Sequence, residues 1–110
     1  MQEGKLMGSS EKRALENRVI LLLAHLLKWK FQPSHRARRW QAVIESQRLN
    51  VAYMLEDNQD LKSQLGPLLH RCYAKACIEA AHETGMDKTI FPLKCPWETS
   101  KVLDLGFYPD

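Results

Sequence analysis

Val19-Ile20-Leu21-Leu22-Leu23-Ala24-His25-Leu26-Leu27-Lys28-Trp29-Lys30-Phe31-Gln32-Pro33 decides the fold. Together with Leu15 upstream, its apolar residues recur at helical spacing: Leu15, Val19, Leu22, Leu23, Leu26 and Leu27. Ile20, Leu21 and Ala24 widen that stripe around the helix. A helix apolar over so much of its circumference belongs in the middle of a bundle. The apolar run from Val19 to Leu27 is far short of the roughly 20 residues a bilayer requires, and His25 interrupts it. The first helix is therefore predicted to start with Ser9 or Ser10 as cap and to reach Trp29 or Phe31. Pro33 ends it, because the residue before a proline is driven out of helical geometry.

The short link at Gln32-Pro33-Ser34 predicts an antiparallel helical hairpin. Ser34 is the expected cap of a second helix over 34–56, with Trp40, Val43, Ile44, Val51, Met54 and Leu55 as its stripe and Gln47 in register. A third helical region is expected to break near Gly66-Pro67, giving a short helix over 59–65 and a longer one over 67–84. Proline suits a first turn better than a helix interior. Leu68, Leu69, Cys72, Tyr73, Ala76 and Ala80 would then face the core, and Gly85 would stop the helix. Pro92 and Pro96 predict an extended segment over 86–97, with Phe91, Leu93 and Trp97 plugging into the bundle. A short helix near Glu98–Leu103 follows. The apolar tail from Leu105 to Pro109 is expected to dock. The fold class is thus all-α, a small bundle with one domain over 9–110 and a flexible arm over 1–8.

The composition sets bounds on function. Hydrophobic residues make up 45% of the 110 positions and charged residues 26%, which is a globular balance. A net charge of +3 is too small to imply nucleic-acid or membrane binding by itself. Cys72, Cys77 and Cys95 are odd in number, without a disulfide-framework spacing, and Met1–Arg13 lacks the apolar run of a secretory leader. A reducing, cytoplasmic setting is the expectation.

Three blocks resemble a known family. They are Ser10–Glu16 with the run from Leu22 to Pro33 and Arg38-Arg39-Trp40; Ala80-Ala81-His82-Glu83-Thr84-Gly85; and Phe91–Trp97 with Val102-Leu103-Asp104 and Phe107-Tyr108-Pro109. Together they look like the bacterial "domain of unknown function 29", common in cyanobacteria and proteobacteria. The resemblance covers nearly all of residues 8–110. It implies an all-helical fold, no established activity, and structural roles for His25, Trp29, Gln32, Pro33, Trp40, Gly85, Cys95 and Pro96. It also implies that most of the family's N-terminal region is missing, since only Met1–Ser9 precede the first matching block. Cys72 and Cys77 stand where the family pattern suggests variable or small residues.

Four constellations bear on chemistry. Lys28, Lys30, His35, Arg36, Arg38, Arg39 and Arg48 cluster around the first turn between helices. Arginines at a helix N-terminus oppose its dipole unless an anion sits there. This gives a candidate anion site of Lys28, Lys30, Arg36, Arg38 and Arg39, against internal pairing with Glu16, Glu45 or Asp104, or plain solvation. The possible metal ligands are His25, His35, His70, His82 and the three cysteines, but no ligand-pair spacing links them, so no metal or cofactor is expected. Cys95 precedes Pro96 and a short helix, a weak setting for a thiolate. Glu79 and Glu83 read as a solvated face with Lys75. His25 is expected to bond a neighbouring element. No catalytic motif stands out. The favoured function is a non-enzymatic interaction module using the first helix, with a homodimer or a helical partner. Anion or nucleic-acid binding at the basic turn is the alternative, with nucleic acid the less favoured and no membrane role.

Overall fold

The computed structural model describes residues 9–110, with Ser9 described by its backbone alone. The arm expected over 1–8 lies outside the described residues. Four α-helices follow in order: α1 Ser9–Phe31, α2 Arg38–Asp57, α3 Leu65–Thr84 and α4 Thr99–Leu103. Short 3-10 helices at Pro33–His35, Gln59–Gln64 and Lys88–Ile90 join them. This is an all-α bundle.

α1 is its centre. Leu15, Leu22, Leu23, Ala24, Leu26 and Leu27 are each 0% exposed. Both α2 and α3 pack along α1, while α2 and α3 make almost no direct contact with each other. The expected α2 stripe holds: Trp40, Ile44, Val51 and Leu55 are buried, and Val43, Gln47 and Met54 half-buried. All six residues expected to face the core from α3 are buried, and Leu65 and Cys77 join them.

The turn between α1 and α2 differs from expectation. Pro33–His35 form a 3-10 turn, so α2 begins at Arg38 and Ser34 does not cap it. The N-cap is Ala37, which has no side-chain oxygen to offer. Arg36 consequently precedes α2 and serves α1 instead. Its Nε donates to the Trp29 carbonyl at 2.8 Å, where a cation suits the negative end of the helix.

α3 also starts earlier than expected. Gly66-Pro67 lie inside its first turn, where proline's missing N–H has no helical acceptor to lose. The expected short α-helix ahead of it is the 3-10 helix Gln59–Gln64, which runs directly into α3. Gly85 ends α3 with φ 79°, and its N–H donates to the Ala81 carbonyl at 2.8 Å.

The C-terminal segment crosses one side of the three-helix layer. Phe91 is buried, with its ring 5.3 Å from that of Phe31, and the Tyr73 hydroxyl donates to the Pro92 carbonyl at 2.7 Å. Trp97 is half-buried, but Leu93, expected as a plug, is 100% exposed. Proline at 92 and the turn around it point Leu93 away from the bundle.

The tail docks on Arg48, a residue whose charge suggested the surface. Arg48 is only 2% exposed. Its guanidinium donates to the carbonyls of Val102 at 2.7 Å, Phe107 at 2.8 Å and Leu105 at 3.5 Å. The Val102 carbonyl lies in the last turn of α4, where a cation is again favourable. Arg36 adds a bond to the Pro109 carbonyl at 3.2 Å, and Trp29 packs on Tyr108 with ring centroids 5.0 Å apart.

Candidate functional site

A cavity of about 630 Å³ opens where the ends of α1 and α3 meet the start of α2. α1 contributes His25 and Lys28 from one helical face, and Gln32 follows just past its end. α2 contributes Arg39 and Trp40, and α3 contributes Glu83 and Thr84 from its last turn. The size falls within the range of small-molecule sites.

Two of these polar side chains are nearly sealed: His25 is 7% exposed and Lys28 6%. Lys28 Nζ donates to Glu83 Oε1 at 2.6 Å and sits 5.0 Å from the centre of the Trp40 ring. A carboxylate and the face of an aromatic ring thus compensate this buried ammonium for the water it loses. That hydrogen bond holds the Glu83 carboxyl below its ordinary range. His25 Nδ1 lies 2.9 Å from the Leu21 carbonyl. A carbonyl only accepts, so Nδ1 carries the proton and donates. The expected bond from His25 to a neighbouring element is therefore a bond within α1. Desolvation pushes the His25 pKa below 6.5, which leaves Nε2 as a lone pair.

A second feature lies along the same side of α1. A cleft of about 440 Å³ runs between α1 and α3, lined by Asn17, Ile20 and Leu21 against Lys75, Ile78 and Glu79. Another of about 290 Å³ lies between α1 and α2, lined by Ala14, Arg18 and Leu21 against Gln47. The residues that hold the C-terminal segment, Arg48 and Tyr73, line neither cleft. One side of the helical layer is thus covered and the other bare. Ile78 on the bare side is 54% exposed.

The five residues of the sequence-predicted anion set go to different places. Lys28 and Arg39 share the cavity wall. Lys30 lies 5.6 Å from the Phe31 ring centre, and Arg38 is exposed. Arg36 is committed to the carbonyls of Trp29 and Pro109 and stacks on Trp29 at 5.0 Å. Of these arginines Arg36 alone is paired within the chain, with main-chain carbonyls in place of the carboxylates considered, while Arg38 and Arg39 are exposed. Glu16 pairs with Arg71, at 2.9 Å. Of the residues given structural roles by resemblance, His25, Gln32 and Trp40 line the cavity, and Trp29 anchors the tail. Pro33 opens the 3-10 turn, and Gly85 closes α3. Cys95 is half-buried, and Pro96 is exposed. Glu83 was read as part of a solvated face with Glu79. The helical register of His25 and Lys28 was a signal for the shared face, but nothing local announced a partner 55 residues away.

A family model described as "Domain of unknown function DUF29" matches residues 1–108. The chain belongs to the DUF29 family. No curated protein and no solved structure matches it. DUF29 membership agrees with the all-helical architecture, and its description names no activity, so the chemistry rests on the residues themselves.

The thiols of this DUF29 chain are not set up as nucleophiles. Burial raises Cys72 from 9.0 to about 11, and raises Cys77 and Cys95 as well. Cys95 Sγ donates to the Trp97 carbonyl at 3.4 Å, and burial is what pushes this half-buried thiol up. Among the described residues no three His, Cys, Asp or Glu side chains gather so that they could hold a metal ion. No helix among the described residues is long and apolar enough to cross a membrane.

Proposed function

We propose that the chain is a non-enzymatic interaction module, and that its receiving surface is the bare side of the α1–α2–α3 layer. The occupant is an amphipathic helix of a protein partner. The observation that carries this reading is the pair of clefts flanking Leu21. Leu15, Val19, Leu22 and Leu26 of α1 are sealed, yet along this face α2 and α3 stand beside the helix without closing over it. From Ala14 to Gln32 the face is about 27 Å long at 1.5 Å per residue, which suits a helix of similar length. Leu21, Ile20 and Ile78 offer apolar footing, and Arg18, Lys75 and Glu79 offer charges of both signs around it.

Site-specific photocrosslinking in the native host tests this. Probes at Asn17 and Ile78 should capture one partner through a helical segment, and a probe at Leu49 should not. Leu21→Arg should abolish the capture. Equal capture from all three positions, or none from any, would refute the reading. Light scattering at high concentration distinguishes a second copy: a dimer broken by Leu21→Arg would make the occupant this same chain.

A second reading, anion binding at the basic turn, is favoured by one observation. Lys28 and Arg39 face the same cavity. Lys30, Arg36 and Arg38 do not line it, so the site is smaller than the charge cluster. A nucleic-acid strand would need a longer basic surface than this. Titration with inorganic phosphate, with and without Arg39→Ala, tests it: binding indifferent to Arg39 would count against this turn.

A further inference from the structure

His25 and the start of α2 present the same cavity with opposite demands. At the mouth, Arg39 is a cation with no carboxylate partner among the described residues. The backbone N–H of Arg39 lies in the first turn of α2, which has no side-chain cap because its N-cap is Ala37. These are donors suited to an oxyanion. Deeper in, His25 Nε2 has no hydrogen-bond partner among the described residues, although the residue is 7% exposed. With Nδ1–H bound to Leu21, that Nε2 is an acceptor in the neutral ring. An oxyanion entering the cavity satisfies the donors and sets its own lone pairs against this one. A proton between the two removes the conflict.

We propose that the cavity binds a small oxyanion, a carboxylate or phosphate group, together with one proton held on His25 Nε2. The inference rests on the second reading above and adds its regulation. The charged and titratable groups around His25 come from every neighbouring element. They are Lys28 on α1, Glu83 and behind it His82 on α3, Arg39 on α2, and His35 in the turn. Lys28 and Glu83 act on His25 in opposite directions, and burial is the larger effect, so the empty site holds a neutral ring near pH 7. A bound anion favours the imidazolium. Binding therefore strengthens as pH falls through the histidine range.

The test follows the His25 ring by NMR in the full chain, with inorganic phosphate and with acetate as probes. Acetate stays ionised across this range, so proton uptake in its presence belongs to the protein. Phosphate titrates there itself, and comparing the two separates ligand protons from His25 protons. Saturable shifts of the His25 ring are expected, with affinity several-fold higher at about pH 6 than at about pH 8 if the bound anion raises the ring by about one pKa unit, and tenfold only as the limit well below the free ring's pKa. His25→Gln, whose amide does not titrate, should bind acetate with a flat pH profile, and Arg39→Ala should bind about tenfold more weakly. Binding of equal strength at both pH values, with the His25 titration unmoved, overturns the proton coupling and leaves anion binding standing. No saturable shift with either probe overturns both. Response to one probe alone names the oxyanion.

Discussion

Replacing Arg48 with methionine tests what holds the C-terminal segment to the bundle. The guanidinium makes two short bonds to carbonyls, 2.7 Å to Val102 and 2.8 Å to Phe107, and a marginal third to Leu105. Hydrogen bonds involving a charged group are worth roughly 1.5–3 kcal/mol each, so the two short ones total about 3–6 kcal/mol. Methionine fills much the same volume and recovers stem packing, and a released tail can rehydrate its carbonyls. Both effects reduce the loss, leaving about 3 kcal/mol. For a chain of 110 residues, an unfolding entropy of about 2.1 cal/mol/K per residue turns this into a fall in Tm of about 13 °C. Thermal unfolding followed by circular dichroism measures it. A double-mutant cycle with a chain ending at Asp104 isolates the cause, since that truncation removes the Leu105 and Phe107 acceptors. Arg48→Met should cost markedly less in the truncated background. A loss below about 0.5 kcal/mol in the full chain, or an equal loss in both backgrounds, would falsify the clamp.

The other outcomes concern single sites. Glu83→Gln should destabilise by about 1–2 kcal/mol, because it strands a buried ammonium, whereas Lys28→Met should cost less, because the half-exposed Glu83 can turn to water; equal losses in denaturant melts would contradict that asymmetry. Gly85→Ala should cost about 1–2 kcal/mol from its left-handed backbone alone, since nothing lies within 4 Å of the added Cβ; an unchanged melting temperature would show that α3 does not depend on this stop. The His25 pKa is depressed in the folded chain by burial, so the unfolded chain binds more protons just below 6.5. Stability should therefore be full above that value and fall as pH drops through the folded pKa, and His25→Gln should flatten the curve of denaturant midpoint against pH. All three thiols should label slowly at neutral pH, with Cys95 fastest because it is only half-buried; a rapidly alkylated Cys72 would contradict its rise to about 11.

Apolar periodicity and stop signals made most of the fold legible in the sequence. The stripe from Leu15 to Leu27 requires burial whatever surrounds it, and Gly85 carries its own backbone reason. What escaped were features set by partners distant in sequence. Arg48 reads as a surface charge because nothing near it tells of carbonyls more than 50 residues away. Ser34 is a good cap by type, but Pro33 initiates a 3-10 turn that places the start of α2 four residues later. The basic turn was legible as a cluster and illegible as a site. Its members divide between tail anchoring, a buried ion pair and solvent according to the helix face each occupies.

That division shows how one short segment serves two ends of the molecule. α1 ends in Lys28-Trp29-Lys30-Phe31, and successive residues point about 100° apart around the helix. Trp29 turns toward Tyr108 and Arg36, on the side that receives the tail. Lys28, one residue earlier, turns toward Glu83 and the cavity. Arg36 fixes the main chain of this same turn by bonding the Trp29 carbonyl while reaching Pro109. Release of the tail would thus loosen the end of α1, and with it the placement of Lys28 and His25. An occupant of the cavity and a docked tail favour the same arrangement of that turn, so each should strengthen the other through linkage.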